Sequence, residues 1–294
     1  MIKTIQSGNV TASIDTKGAQ LISLQKDGKE YVWQRDPEFW EDCAPVLFPV
    51  VGRCRNGKIL IKGEEYPMDA HGFVQNMELE VYREEADCIT FALRQNEETK
   101  KSYPWDFFFT ITFRLDGNQL ITEFKVENTD KETIWFGIGG HPGFNVPMNE
   151  GEKFEDYQLE FETEEILYSN RVLMEDVAIL PDGKDLILES GRVLPLKRAL
   201  FNNDALIFED IHSKWVKLVH KDTKAGLHFA YEDFPILAIW TRGEPVEAPY
   251  VCLEPWFGMG FRTNEGDDIE KKYGIQNLEA GKVFTASFTT EIID

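Results

Sequence analysis

Cysteine is scarce in this chain, which has four cysteines among 294 residues: Cys43, Cys54, Cys88 and Cys252. None forms a Cys-x-x-Cys pair and none lies at zinc-site spacing from a histidine, so these residues predict no disulfide framework and no metal centre. We expect reduced, mostly buried thiols, because free cysteine packs like a small apolar residue and stays reduced in the cytosol. The cysteine pattern therefore favours a cytoplasmic protein.

Long hydrophobic runs and positive charge are also in short supply. No window of about 18 apolar residues occurs, so no membrane span is predicted. Residues 1–15 alternate like a strand and lack the apolar centre of a signal peptide. Lysine and arginine number 31 against 52 aspartates and glutamates, which gives a net charge of −21. Such a charge argues against nucleic acid or an anionic membrane as partner, and it repels anionic substrates at long range.

Nucleotide-binding and serine-hydrolase motifs are missing too. Residues 137–140 are rich in glycine, but no helix pattern follows them, so they do not predict a phosphate-binding loop. No serine stands at a strand-to-helix nucleophile turn. Helix patterns are limited to short stretches at 96–101 and 265–272.

Short alternating segments make up most of the chain and indicate strands. They are expected at 10–14, 19–25, 29–33, 58–61, 64–67, 78–84, 88–95, 107–115, 119–128, 157–161, 205–208, 215–220, 226–231, 236–240 and 283–293. Turn signals separate them, such as Asp27-Gly28 and Asp116-Gly117-Asn118. Many short strands at even spacing predict an all-β protein, a large antiparallel β-sandwich.

One domain over residues 1–294 is expected. The length is high for a single domain, but all-β sandwiches reach this size, and neither a linker nor an internal repeat divides the chain. Residues 171–198 are the least regular part, and we expect them to form a long excursion from the sandwich.

Four segments combine polar residues with glycine, proline or aromatic residues, as functional loops often do. The first, residues 43–53, is an apolar run that ends in Arg53. This arginine either caps a buried irregular segment at the surface or is held rigidly to donate paired hydrogen bonds. The residues alone leave both interpretations open.

Two further segments, 69–73 and 139–144, place His71 and His141 beside glycine and phenylalanine. A single histidine more often has a structural role, but two of the five histidines share this setting. Glycine lets a ligand approach the backbone closely. The other histidines, His212, His220 and His228, lie on predicted strands at polar surface positions and are assigned no function.

The fourth segment, 251–258, places Glu254 among apolar residues beside Trp256. On an edge strand facing solvent this glutamate would have no special role, whereas burial would raise its pKa and make it a usable acid or base. A tryptophan next to a carboxylate is typical of sugar sites, because the ring packs on the C–H face of the sugar. A metal site formed by His71, His141 and Glu254 is the weaker interpretation.

Taken together and in order, these segments resemble the galactose mutarotase-like superfamily, the aldose 1-epimerases, and are most similar to its shorter lacX-type branch. The resemblance covers nearly the whole chain, and the HPGFN and CLEPW motifs are its specific parts. The matching pieces are APVLFPVVGR (44–53), DAHGF (69–73), YPWDFFFTITFRL (103–115), GIGGHPGFNVP (137–147), FNNDALIF (201–208), IWT (239–241) and APYVCLEPWFG (248–258).

This resemblance implies a β-supersandwich that binds a monosaccharide and an isomerase that interconverts the α and β anomers of a hexose such as galactose or glucose. It implies that no cofactor and no metal are needed. His141 matches the general acid that protonates the ring oxygen, and Glu254 matches the general base that takes the proton of the anomeric hydroxyl. The protein would be a monomer or a homodimer.

Four more residues are implied as substrate contacts. Arg53 and His71 match residues that position the sugar, and Asp204 is similar in placement to an acidic residue that binds sugar hydroxyls. Trp240 stands where the longer mutarotases tend to carry a polar contact, which is a departure from the family pattern.

Three alternatives remain open at this point. A phosphorylated hexose would need basic residues at the rim, for which Arg53, Arg55, Lys58 and Arg242 are candidates. A sugar-binding protein without catalysis would not need both an acid and a base. Glycoside hydrolysis usually needs two carboxylates flanking the bond, and Glu254 has no evident carboxylate partner.

Overall fold

The computed structural model describes residues 1–294 and consists of 23 strands and six short 3-10 helices. The strands of the first half are β1 (Ile2–Ser7), β2 (Val10–Asp15), β3 (Gln20–Lys26), β4 (Lys29–Glu30), β5 (Val46–Leu47), β6 (Lys58–Ile61), β7 (Glu64–Pro67), β8 (Glu80–Glu84), β9 (Cys88–Arg94), β10 (Phe107–Asp116), β11 (Gln119–Asn128), β12 (Ile134–Phe136), β13 (Ile138–Gly140) and β14 (Gly143–Asn145). Those of the second half are β15 (Tyr157–Leu173), β16 (Ala178–Pro195), β17 (Leu206–Phe208), β18 (Trp215–His220), β19 (Gly226–Ala230), β20 (Ile236–Trp240), β21 (Tyr250–Phe257), β22 (Gln276–Leu278) and β23 (Val283–Ile293). The 3-10 helices span Arg55–Gly57, Val74–Asn76, Thr99–Lys101, Phe154–Asp156, Arg198–Phe201 and Ile269–Lys271.

The two largest sheets are antiparallel and face each other. One has nine strands in the order β16-β15-β18-β19-β23-β11-β10-β9-β8, and the other has six, with β17-β20-β21-β13-β5 in a row and β14 also paired with β21. A four-stranded sheet, β1-β2-β3-β4, lies beside them. The predicted antiparallel β-sandwich is therefore confirmed.

Alternation of apolar and polar residues builds the core between these sheets. On β11, every second side chain from Leu120 to Asn128 is buried, as expected where one face of a strand packs inward. Phenylalanines fill the space between the sheets. Phe288 of β23 packs against Phe124 and Phe234. One cluster of 69 buried residues runs through the molecule; that the chain is a single domain remains a prediction.

Residues 171–198 were expected to be the least regular part of the chain, and this was wrong, because most of them are strand. The expected long excursion holds in part, since β15 pairs with β18 over residues 157–161 alone. This part of the chain completes β15 and forms β16, so the two strands make one long hairpin at the edge of the nine-stranded sheet. The pairing register shifts four times along the hairpin. These irregularities interrupt the two-residue alternation and conceal the strand in the sequence, because each bulge moves the following side chains to the other face.

The helices are all short. The stretches expected at 96–101 and 265–272 contain single 3-10 turns, Thr99–Lys101 and Ile269–Lys271. No helix has the length and apolar character needed to cross a membrane.

Candidate active site

Strand register places His141 opposite Glu254 on the six-stranded sheet. β13 and β14 both pair with β21: Gly139 lies opposite Trp256, and Gly143 lies opposite Cys252. His141 stands midway between the two glycines, as Glu254 does between their partners. The backbone N–H of Leu253 donates to the carbonyl of Pro142 at 3.1 Å, which continues the same register.

This register extends into a row of residues that forms the floor of a cavity. On one side Glu254 pairs with Ala238, and Ala238 pairs with Ile207. On the other side, the pairing of Gly140 with Val46 brings Pro45 next to His141. We call Pro45, His141, Glu254, Ala238 and Ile207 the floor row. All of them except Ala238 line the cavity.

His141 and Glu254 are in direct contact and almost completely buried. Nε2 of His141 lies 3.1 Å from Oε2 of Glu254, although that oxygen has no aligned hydrogen-bond partner and neither has Nδ1 of His141. Burial lowers the pKa of His141 well below its ordinary value, and the nearby His71 adds to this effect. Burial also raises the pKa of Glu254 well above its usual range, with the charge of Asp204 as a second cause. Both directions favour the uncharged pair, in which the proton lies on Glu254.

His71 is held at the cavity by a tight turn. Its φ is +63°, in the left-handed region, and its N–H donates to the carbonyl of Gly52 at 2.8 Å. The following Gly72 also has a positive φ, and a Cβ there would overlap the carbonyl of Phe48. Strain of this kind clusters at functional sites, because the surrounding structure must hold the residue in place.

The protonation of His71 follows from its contacts. Its Nδ1 accepts a hydrogen bond from the backbone N–H of Gly52 at 3.2 Å, which leaves Nε2 to carry the proton in the neutral ring. Burial, followed by the charge of Arg53, lowers the pKa of His71 to about 4. At neutral pH this histidine is therefore an uncharged donor of one hydrogen bond.

Arg53 is an exposed cation that the protein leaves unpaired. Its guanidinium forms neither a hydrogen bond nor an ion pair with another side chain, whereas its backbone carbonyl accepts a bond from Phe261. Gly52 allows this approach of two chain segments, since a Cβ there would lie 2.6 Å from Gly260. A rigid backbone with a free guanidinium suits paired hydrogen bonds to a ligand.

Asp204 and Trp240 complete the predicted set. Asp204 has a φ of +73°, and its Oδ1 accepts a bond from the N–H of Ala205 at 2.9 Å. Burial raises the pKa of Asp204. The ring of Trp240 lies 5.7 Å from that of His141, nearly perpendicular to it. The structure thus brings all six predicted site residues to one cavity.

Several lining residues were not expected from the sequence. Trp40, Asp42 and Gln75 line the cavity, and so do three apolar residues of the β15–β16 hairpin, Val172, Val177 and Ile179. A tryptophan and an acid just before the first functional loop were a signal that could have found Trp40 and Asp42. The hairpin residues offered no comparable signal, because their role depends on where the hairpin folds back.

The cavity has a volume of about 280 Å³. This volume is just below the roughly 300–1,000 Å³ of typical small-molecule sites, so the cavity suits a small ligand of monosaccharide size. Carboxylates outnumber cations in its lining: Asp42, Asp204 and Glu254 accompany the single arginine, Arg53. A wider cavity of about 580 Å³ adjoins it at Arg53 and carries three more carboxylates, Asp69, Glu175 and Asp176.

One group of side chains has the donor atoms of a metal site. Single ligand atoms of His141, Cys252 and Glu254 lie within 4.8 Å of one another. A metal ligand must be the thiolate, but burial raises the pKa of the Cys252 thiol well above its ordinary value. The short contact between His141 and Glu254 fits a shared proton at least as well.

Comparison with solved structures places this sandwich among the galactose mutarotase-like proteins. The galactose mutarotase related enzyme of Lactobacillus acidophilus superposes with a TM-score of 0.93 at 35% sequence identity, covering 100% of this chain and 98% of that one.

The sequence comparisons give the family. The model of the family described as Aldose 1-epimerase matches residues 1–276, and the chain belongs to that family. The plasmid-encoded protein LacX of Lactococcus lactis subsp. lactis is 35% identical over 270 residues, 90% of each chain. A "Putative glucose-6-phosphate 1-epimerase" of Escherichia coli is 28% identical over 242 residues, 77% of this chain and 75% of that one. The expected resemblance to the mutarotases and to the lacX-type branch is confirmed.

Proposed function

We propose that the protein is an aldose 1-epimerase that interconverts the α and β anomers of an unphosphorylated hexose such as galactose or glucose. The observation that supports this most directly is the 3.1 Å approach of His141 Nε2 to Glu254 Oε2 on the floor row. An acid and a base side by side, at the bottom of a cavity of sugar size, are what opening a pyranose ring requires.

These two side chains supply and take up every proton that the proposed reaction transfers. The proton of the uncharged pair first moves from Glu254 to His141 across their 3.1 Å contact. Protonated His141 then gives a proton to the ring oxygen while ionised Glu254 takes the proton of the anomeric hydroxyl, and the bond between C1 and the ring oxygen breaks. The open-chain aldehyde then rotates about the C1–C2 bond. Closure on the other face returns both protons, so the second anomer leaves with the pair as it began.

Burial favours the charge state of the open-chain stage. At that stage His141 is neutral and Glu254 is protonated, which is the state toward which burial shifts both pKa values. An environment that stabilises the intermediate more than the closed sugar lowers the barrier for ring opening. Concerted acid–base help of this kind is typically worth roughly 10²–10⁴-fold in rate.

The remaining cavity residues are proposed to hold the hydroxyls while C1 turns. Arg53 offers two parallel donors, neutral His71 offers one, and the carboxylate of Asp204 accepts. Trp240 supplies an apolar ring face in place of a polar contact. Holding the other hydroxyls confines the motion to C1, so that the other carbons keep their configuration.

A phosphorylated hexose is the second candidate, since the guanidinium of Arg53 is unpaired and a related protein is named for glucose 6-phosphate. The charges around the cavity support it less. Arg55 is engaged by Asp267 at 3.6 Å and by the carbonyl of Glu265 at 2.8 Å, and Lys58 is paired with Glu65 at 2.5 Å. Arg242, the fourth candidate, does not line the cavity, so a phosphate there would meet the guanidinium of Arg53 among several carboxylates.

Polarimetry tests the proposal. Freshly dissolved α-galactose and α-glucose are expected to approach the equilibrium rotation faster with a catalytic amount of protein than without it. The anomers of hexose 6-phosphates are compared by NMR exchange at the same protein concentration. Acceleration with the hexose 6-phosphates alone would mean that the substrate is a phosphorylated hexose. Binding of sugar without any acceleration would mean that the protein binds sugars and does not catalyse the reaction.

A further inference from the structure

Trp40 lies against the imidazole of His141 and was not among the residues expected at the site. The two ring centroids are 5.1 Å apart, with planes tilted by 36°. Trp240 approaches both rings edge-on, at 5.7 Å from His141 and 5.5 Å from Trp40. The imidazole therefore lies in a corner made by two indoles, and it also contacts Glu254 and the ring of His71.

The position of Trp40 follows from a glycine of the histidine motif. A Cβ at Gly143 would lie 2.9 Å from Cζ3 of Trp40 and 3.3 Å from Sγ of Cys252. Any larger residue at position 143 would have to displace the indole of Trp40. The loop is fixed on its other side as well, because the indole N–H of Trp33 donates to the carbonyl of Trp40 at 2.9 Å.

Resting on the proposed function, we propose that Trp40 is a positioning residue that orients His141 toward Glu254 and stabilises the imidazolium that gives its proton to the ring oxygen. An aromatic ring attracts a cation whose centre lies within about 6 Å of the ring centroid, and the attraction grows when water is excluded. The contact between Trp40 and His141 meets this distance, with the imidazole buried and the indole half-buried. A neutral imidazole gains less from the ring, so the contact acts on the charged form.

A second role for Trp40, as a platform for the sugar, makes a different kinetic prediction. A ring that only stacks on the substrate binds the ground state and the transition state alike, so its removal raises KM and leaves kcat unchanged. A ring that acts through His141 affects the step of proton transfer, so its removal lowers kcat and leaves KM nearly unchanged.

The test compares Trp40→Phe with Trp40→Leu in steady-state mutarotase assays. Phenylalanine keeps an aromatic face and leucine keeps only apolar volume. We expect kcat to fall roughly 5- to 30-fold in Trp40→Leu, the upper range of a desolvated cation–ring contact, and to recover to within about 3-fold in Trp40→Phe. Trp135→Phe is the matched control, because Trp135 stacks on Trp105 and does not line the cavity.

A measurement without turnover separates this inference from the proposed function. In protein with ¹⁵N-labelled histidine, the protonated fraction of His141 at a given pH is expected to be smaller in Trp40→Leu than in Trp40→Phe. The titratable groups around the imidazole are unchanged in both variants: Glu254, His71, Asp204 and Cys252. Equal protonated fractions together with a rise in KM alone would overturn the inference. A wild-type protein inactive on every sugar would overturn the proposed function and leave the NMR comparison decisive for Trp40.

Discussion

The floor row and the β15–β16 hairpin line the same cavity but are built differently. The floor row belongs to the six-stranded sheet, where buried cross-strand neighbours confine each residue. The hairpin lies at a sheet edge, its register shifts four times, and it carries six of the eleven large hydrophobic residues that are exposed. A difference of one residue in register would separate His141 from Glu254. The hairpin, in contrast, forms an apolar wall of the cavity, for which only apolar surface near Val177 and Ile179 is needed. The proposed chemistry therefore needs an exact strand register in the floor row, whereas from the hairpin it needs only that the cavity be covered.

The largest effect is expected from the floor row. His141→Asn and Glu254→Gln are each expected to lower kcat by roughly 10²–10⁴-fold, since each removes one of the two proton-transfer groups. Both changes are close in size to the native side chain, so the circular dichroism spectrum and the melting temperature should stay near those of the wild type. Full activity in either variant would contradict the assigned roles and remove the functional contrast between the two regions.

Backbone confinement can be compared with two glycine substitutions. Gly72→Ala beside the floor is expected to lower the free energy of unfolding by more than about 3 kcal/mol, because a positive φ and an overlap with Phe48 combine. Gly191→Ala on the hairpin also has a positive φ, but no atom lies within 4 Å of its added Cβ. For Gly191→Ala we expect the free energy of unfolding to fall by about 1 kcal/mol. Chemical denaturation measures both, and equal losses would mean that the floor is no more confined than the hairpin.

The hairpin has one tightly bonded point near its base, the buried carboxylate of Glu165. It accepts hydrogen bonds from the N–H and Oγ of Ser213, each at 2.6 Å, and from the N–H of His212 at 3.1 Å. Burial raises the pKa of Glu165, but these bonds outweigh it, so the pKa lies below its ordinary value. Because the pKa of this carboxylate is lower in the folded than in the unfolded protein, the carboxylate stabilises the fold at pH values above its unfolded pKa. This contribution is lost as the pH falls through the folded pKa.

Replacement of this carboxylate gives a pH-dependent prediction. Glu165→Gln is expected to lower the free energy of unfolding by about 1.5–3 kcal/mol at pH 7, the usual range for hydrogen bonds to a charged group. The difference from the wild type should shrink as the pH falls below the ordinary glutamate value of about 4.3. Denaturation curves at pH 7 and at acidic pH measure it. A difference that stays constant with pH would show that Glu165 acts through packing rather than charge.

The smallest effect is expected at the wall. Val177→Ala removes two methyl groups from the lining of the cavity and is expected to raise KM about two- to three-fold with kcat unchanged, since the residue contacts no proton-transfer group. A fall in kcat of the size expected for the floor row would mean that the hairpin shares in the chemistry. In that case the floor row and the hairpin would not have separate roles in catalysis and in covering the cavity.

Much of the fold was predictable because most strands have one buried face. The bounds expected for Gln119–Asn128, Trp215–His220, Ile236–Trp240 and Val283–Ile293 match the structure. β16 was not recognised, since bulges and the turn-like residues Pro181, Asp182 and Gly183 disturb its alternation. Trp40 was missed for another reason. Nothing local in its loop shows that it will meet His141.

The sequence by itself determined the all-β class, the position of many strands and, through the motifs around His141 and Glu254, the family. These properties depend on neighbours in the chain, such as alternation, turn residues and glycines next to a histidine. Only the tertiary structure decided that β13 and β14 pair with the same strand and thereby set His141 against Glu254. It also decided that Trp40 and the hairpin close the cavity. Contacts between distant segments arise from sheet register and packing, which no short stretch of sequence specifies.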